Sequence, residues 1–273
     1  MGLFIASLNS GSNGNCYYVG NNEEAILVDA GLSCREIEKR LKILSLNIEK
    51  IKGIFITHEH GDHIKGVEVL SKKHRLRVYI TQPTLFHGRL SLRAENVVSF
   101  KGGDNISVGN LTITPFAKHH DASDPYSFTV SGNGVTVGIF TDIGKCCDRL
   151  IAHFKICHAA FLESNYDEEM LEKGGYPWHL KQRIRGGKGH LSNKEALQLF
   201  LQHRPQHLQL LLLSHLSANN NNPKLVQDLF DQHANGVKMI VASRYEVSEV
   251  YYVYAGNKTP QALASQQMSF SFA

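Results

Sequence analysis

The run Gly53-Ile54-Phe55-Ile56-Thr57 is apolar, rich in β-branched and aromatic residues, and reads as a buried strand. Behind it, His58, Glu59, His60, Gly61, Asp62 and His63 place three imidazoles and an aspartate within six positions. That junction limits the architecture sharply, because a strand fixed in a core and ending in donors builds a polar site on the rim of a sheet. Histidine nitrogen and carboxylate oxygen suit borderline-soft divalent ions such as zinc. His58 and His60, two apart in extended backbone, point the same way and can grip one ion. Gly61 lets the chain turn, so Asp62 and His63 can face the same cavity from the next helix start and hold a second ion. In a chain with 15 histidines a lone pair here would be an ordinary polar turn. Four donor residues behind a buried strand point to metal.

The order of strand, then donor, recurs. Asp29 closes the apolar run Ala25–Val28, where a buried carboxylate needs partners, which could be local backbone N–H groups. The stretch from Phe116 delivers His119, His120 and Asp121. The two histidines would point to opposite sides, so one of them should bind. Tyr126–Ser131 and Val135–Phe140, joined by Gly132-Asn133-Gly134, read as a β-hairpin that ends near Asp142. A carboxylate there can bridge two cations or simply close a turn, and the upstream donors favour the bridge. The last deep strand, Leu208–Ser214, ends in His215.

Between these strands, Ser33 with Glu36 and Ser192 with Glu195 read as capping boxes, opening helices through about Leu44 and about His203. Ile64–His74 reads as one helix and Leu85–Leu92 as a short one. Asn222 and Pro223 start the last long helix. The loop from Asn9 to Asn15 is a run of turn formers whose functional option is to line the site, with Ser12 and Asn15 meeting phosphate oxygens. Lys181, Arg183, Arg185 and Lys188 precede Gly189-His190-Leu191-Ser192-Asn193. A run of charge is commonly a solvated helix face; beside a histidine of this kind it can also follow a phosphate backbone.

A net charge of +4 permits a polyanionic partner without demanding one. The five cysteines are odd in number and form no Cys-x-x-Cys pair, so reduced thiols in a cytoplasmic protein are expected rather than a disulfide framework. Met1–Ile5 lacks a basic leader, and the most apolar run, Leu208–Leu216, is too short to span a bilayer, so no membrane partner is expected. One domain over 1–255 and a loose tail over 256–273 are expected.

The pattern His58-x-His60-x-Asp62-His63 resembles the signature of the metallo-β-lactamase fold superfamily. Narrower pieces, Ser10–Asn15, His120-Asp121-Ala122, Gly189–Asn193 and His215-Leu216-Ser217 with Asn221–Pro223, resemble the YycJ/WalJ-type group. The resemblance implies an α/β fold, a four-layer αβ/βα sandwich, with two divalent ions, zinc or manganese. It favours His120 over His119, so that His58, His60 and His120 would bind one metal, and Asp62, His63 and His215 the other. Asp142 would bridge them and Asp29 would brace the metal loop. It further implies phosphodiester hydrolysis by a metal-bridging hydroxide, acting 5′-to-3′ on DNA, with Asp62 and His190 as catalytic residues; the basic run beside His190 then places Lys181, Arg183 and Arg185 on the nucleic acid. No inserted arm of the tRNA-gripping kind and no β-CASP-like domain is evident. The alternatives are a small-molecule hydrolase of a thioester, lactone or cyclic phosphodiester, and a metal-bound regulatory or binding module.

Overall fold

The computed structural model describes residues 1–256 and the backbone of 261–263. Strands β1 (Gly2–Asn9), β2 (Cys16–Gly20), β3 (Ala25–Val28), β4 (Ile51–Phe55), β5 (Arg77–Tyr79), β6 (Val97–Val98), β14 (Val250–Tyr254) and β15 (Gln261–Leu263) form one sheet, ordered β15-β14-β1-β2-β3-β4-β5-β6. The second sheet, ordered β13-β12-β11-β10-β9-β8-β7, holds β7 (Ile106–Val108), β8 (Leu111–Ala117), β9 (Tyr126–Gly132), β10 (Val135–Phe140), β11 (Ala159–Glu163), β12 (Leu210–Ser214) and β13 (Lys238–Val241). Helices α1 (Cys34–Ile43), α2 (Gly61–Ile64), α3 (Val67–His74) and α4 (Gln82–His87) lie in the first half of the chain. The second half holds α5 (Asp148–Phe154), α6 (Glu168–Lys173), α7 (Trp178–Arg185), α8 (Asn193–His203) and α9 (Pro223–Asp231).

Side-chain alternation along the strands sorts the apolar residues into three cores, which makes the four layers. Ile26 and Val28 of β3 point between the sheets with Tyr17, Phe55, Phe128 and Phe161. Leu27, between them in sequence, points outward with Ile54 against Ile37, Leu41, Val67 and Leu70 of α1 and α3. On the far side, Phe140, Leu162 and Leu213 meet Phe154, Leu199, Phe200 and Phe230 of α5, α8 and α9. The expected αβ/βα sandwich is therefore the observed fold.

Strands β3–β6 pair in parallel, as do β10–β13. Because β8 is antiparallel to β9 and β9 to β10, β8 points the same way as β10. The C-terminal ends of β8, β10, β11 and β12 thus lie on one edge, as ligand sites of parallel sheets require.

Local expectations differ in three places. The helix expected over Ile64–His74 breaks into α2 and α3 at Gly66, whose N–H donates to Ala30 O at 2.8 Å. A Cβ on Gly66 would lie 2.0 Å from Leu32 O, so the backbone passes too close for a side chain. The helix expected over Leu85–Leu92 instead starts at Gln82, capped by Thr81 and pre-set by Pro83. Ser33 caps α1, but Glu36 turns away to Arg40 Nε at 2.9 Å rather than closing a capping box; Ser192 and Glu195 do close theirs. Residues 257–260 and 264–273 of the expected loose tail lie outside the described residues, while 261–263 pair with Val250–Tyr252 as an edge strand.

Candidate metal centre

Three donor residues that follow strand ends have left-handed backbone: Asp29 (φ 61°), Asp142 (φ 54°) and His215 (φ 58°). Such a conformation costs roughly 1–3 kcal/mol for a residue with a Cβ. Each one turns the chain sharply as it leaves the sheet and aims the side chain along the rim.

The imidazoles share one design. His63 Nδ1 is 2.7 Å from Asp29 Oδ2, while Asp29 also accepts from Thr57 N and Thr57 Oγ1, each at 2.9 Å. His58 Nδ1 is held 2.9 Å from Thr57 Oγ1, His120 Nδ1 3.1 Å from Gly189 O, and His215 Nδ1 3.0 Å from Glu163 Oε1. With the outer nitrogens fixed, four Nε2 atoms are left to point inward, which is how ligating histidines are oriented. His60 offers Nδ1 instead, 3.0 Å from His58 Nε2 and 3.4 Å from His120 Nε2.

One donor atom from each of His58, His60 and His120 lies within 4.8 Å of the others, and the same holds for Asp62, His63 and His215, and for His58, His63 and Asp142. Asp142 lies between the sets, with Oδ2 3.2 Å from His63 Nε2 and Oδ1 3.5 Å from His215 Nε2. Yet Asp142 Oδ2 and His215 Nε2, both buried, make no hydrogen bond of proper geometry. Three ring nitrogens that face one another, and a carboxylate oxygen left without a hydrogen bond, suit the binding of a divalent cation.

Charge divides the rim. Burial pushes the imidazoles of His58 and His120 down, His120 to about 4, which keeps them neutral donors. At His215 burial acts the same way, but the Asp142 charge, the nearby Asp62 carboxylate and the hydrogen bond to Glu163 outweigh it and raise it to about 10. His63 is likewise raised, against burial, by Asp142, Asp29 and Asp62. Burial pushes Asp62 up, yet the His63 charge and the nearby His215 imidazole hold it below the usual carboxylate range. The carboxylates on this side therefore demand positive charge, whether proton or metal. Behind Asp142, Lys118 is buried and donates to Thr141 O at 2.7 Å.

His190 stands over the junction of the two sets, its ring centroid 5.4 Å from that of His120 and 5.3 Å from that of His215. Its Nδ1 is 2.9 Å from Glu163 Oε1 and its side chain is 21% exposed, so it faces both the rim and solvent. Glu163 is the residue that sequence reasoning missed. Fully buried, it accepts from Asp142 N, Ile143 N and Leu191 N, and it contacts both His190 and His215. Burial opposes its charge, but the His190 charge and the side-chain hydrogen bonds to His190 and His215 hold its carboxyl down to about 2. The available signal was its place at the end of the apolar run Ala159–Leu162, the same order of strand, then donor.

The residues expected on the substrate fall differently. Asn15 is buried, with Nδ2 3.2 Å from Asp62 Oδ2 and 3.1 Å from His63 Nε2, and with Oδ1 accepting from Gly11 N. Its amide is committed beneath the donors and braces them, a correction to the expected phosphate contact. Ser12 is exposed and accepts from Arg244 Nη2 at 3.1 Å. Lys181 donates to Glu172 O, Arg185 Nη2 lies 3.0 Å from Glu172 Oε2, and Arg183 Nε bonds Asp121, the neighbour of His120. His120 is the buried member of its pair and His119 the partly exposed one.

This sandwich, with a histidine- and aspartate-lined rim, defines a metal-dependent hydrolase. The pattern of the beta-lactamase superfamily domain matches residues 24–215. Exodeoxyribonuclease YycJ of Bacillus anthracis is 37% identical over 230 residues, covering 83% of this chain and 87% of that protein. Exodeoxyribonuclease WalJ of Streptococcus pneumoniae is 32% identical over 232 residues, covering 82% and 86%. The crystal structure of the metallo-beta-lactamase fold protein YhfI from Bacillus subtilis superposes with a TM-score of 0.71 at 17% identity, covering 90% of this chain and 99% of that one. The chain belongs to the metallo-β-lactamase superfamily and, within it, to the YycJ/WalJ-type hydrolases. No helix among the described residues is long and apolar enough to cross a membrane.

Proposed function

We propose that this hydrolase is a phosphodiesterase acting on nucleic acid, and that its substrate is DNA degraded from an end in the 5′-to-3′ direction. The names of the YycJ and WalJ relatives, both exodeoxyribonucleases, suggest the substrate class. The observation that carries the reading is the partly exposed His190, held by Glu163 above both donor sets. Cleaving a P–O bond expels an alkoxide that needs a proton, which a positioned imidazole supplies. A thioester leaves as a thiolate and needs no such group.

In this reading His58, His60 and His120 would hold one divalent ion, zinc or manganese, Asp62, His63 and His215 would hold a second, and Asp142 would serve both. Two such ions, when bound, lower the pKa of water and neutralise charge on a phosphoryl group. Asp29 fixes the His63 ring through Nδ1 and Asn15 fixes Asp62. Asp62, at the mouth of the second set, also orients the attacking water. Glu163 keeps the His190 Nδ1–H in place, so that the far nitrogen of the ring is the one that protonates the leaving oxygen. We further place the activity in one domain over 1–255 and the protein in the cytoplasm, in keeping with five unpaired thiols.

The test is a panel of duplex DNA, single-stranded DNA, RNA, a thioester and a lactone, run with metal-loaded protein of measured metal content. Release of nucleotides from DNA ends with about two ions per chain is the expected result. Turnover of the thioester or lactone with every nucleic acid left intact would overturn it.

A further inference from the structure

A second group of donors lies away from the rim, where α1 meets the end of α3. Cys34 opens α1 and Glu38 follows one helical turn later on the same face. His74 closes α3, and its Nε2 reaches Glu38 Oε1 at 2.6 Å. Cys34 Sγ points at the same oxygen from 3.7 Å, and one donor atom from each residue lies within 4.8 Å of the others. The Cys34 residue is 6% exposed, whereas the side chains of Glu38 and His74 are 27% and 21% exposed. The group therefore has an apolar floor and an open side, where Glu38, Lys73 and His74 border a surface pocket with room for a water ligand.

From these residues we propose that Cys34, Glu38 and His74 form a further divalent-metal site, four-coordinate with one water. A thiolate, an imidazole and a carboxylate make a borderline-soft set that selects zinc-class ions over magnesium or manganese. The bound ion would tie α1 to α3, the helices that follow Asp29 and the His58–His63 loop, and would stabilise the fold without entering the reaction. Binding replaces the Cys34 thiol proton, which goes to solvent. Lys73 is the built-in competitor, because its ammonium sits 2.6 Å from Glu38 Oε1. Its side chain is 56% exposed and can swing away.

Cobalt(II) chloride, added to the full-length protein under a non-thiol reductant, is the probe. None of the donors gathered on the catalytic rim is a cysteine, so a thiolate-to-cobalt charge-transfer band reports on the new site alone. The wild type should show this band, and its thermal midpoint should rise with cobalt. Cys34→Ser and His74→Gln should each lose the band and one metal equivalent while turnover is unchanged. Lys73→Met should shift the titration to lower cobalt by about 2–5-fold, the worth of one exposed ion pair. Should Cys34→Ser fail to fold, Glu38→Gln carries the same expectation of a lost metal equivalent. A wild type without the band, or a band that survives Cys34→Ser, overturns the proposal. Either result leaves the activity reading to its own test.

Discussion

The donor rim and helix α7 adjoin each other and follow opposite rules. On the rim, His58, His63, His120, Asp142 and His215 are buried, four of them on turns that leave β4, β8, β10 and β12 and His63 on the short helix α2. Their outer nitrogens and backbone torsions are already set. On α7 no residue is buried, Trp178 is 74% exposed, and the cations lean on Asp121 and Glu172 through exposed side chains. Preorganised charge must not move when a reaction needs it, so the sheets hold the chemistry. The proposed contact with a long polyanion asks only for cations that can exchange one set of partners for another, which an exposed helix allows. His190 is the hinge of the comparison, because it sits in the loop after α7 yet is tied to the rim by Glu163.

The sharpest way to break the contrast is His190→Ala. If His190 belongs to the chemistry, turnover of DNA should fall by roughly 10²–10⁴-fold with the metal content unchanged. Metal analysis beside kinetics decides the matter. A lost metal would make His190 a ligand, and full activity would assign it to the adaptable side.

A smaller effect is expected for Glu163→Gln, since the amide keeps the volume but removes the charge that orients His190 and His215. Loss of such a supporting carboxylate typically costs about 10–100-fold in metal affinity or activity. The same carboxylate has a stability signature. Glu163 is held at about 2 against an ordinary 4.5, so its contribution is complete above 4.5 and is lost as pH falls toward 2. In chelated protein the wild-type advantage over Glu163→Gln, measured by denaturant unfolding, should therefore shrink across that window. An advantage that stays constant there would show that the charge of Glu163 contributes nothing.

How far the sequence could be read follows from the same contrast. Strand-then-donor order made the rim legible, since a buried apolar run that stops at His58, Asp142 or His215 has few other reasons to end so. Glu163 obeys that order but lacked a histidine beside it in sequence; its partners His190 and His215 come 27 and 52 residues later. Asn15 was legible as a site residue but not as a buried brace, because nothing local tells which side of a turn an amide will face. The break at Gly66 was hidden for another reason: it answers to Leu32 O, a contact made across the fold. For α7, sequence reported the charges and could not report their acidic partners.

The smallest expected effect lies on α7 and separates two arginines that look alike in sequence. Each cation that meets a phosphate contributes about 0.9 to the magnitude of the salt slope on duplex DNA. Arg185 contacts Glu172 on the neighbouring helix α6, away from the donors, so Arg185→Gln should flatten the slope by up to that amount and leave a small chromogenic phosphodiester unaffected. Arg183 bonds Asp121, whose carboxyl is held low against burial by that hydrogen bond and by the His120 and Arg183 charges. Asp121 Oδ1 in turn lies 3.4 Å from His120 Nε2. Arg183→Gln should therefore lower turnover of the small substrate as well, because an unpaired Asp121 is free to crowd the donor set. Asp121→Asn provides the cross-check, since it releases Arg183 for DNA without leaving a charge behind. If Arg183→Gln and Arg185→Gln behave identically on both substrates, the link from α7 to the rim is energetically idle and the two regions work independently. If only Arg183→Gln touches the small substrate, the adaptable helix also helps to hold one edge of the rigid site.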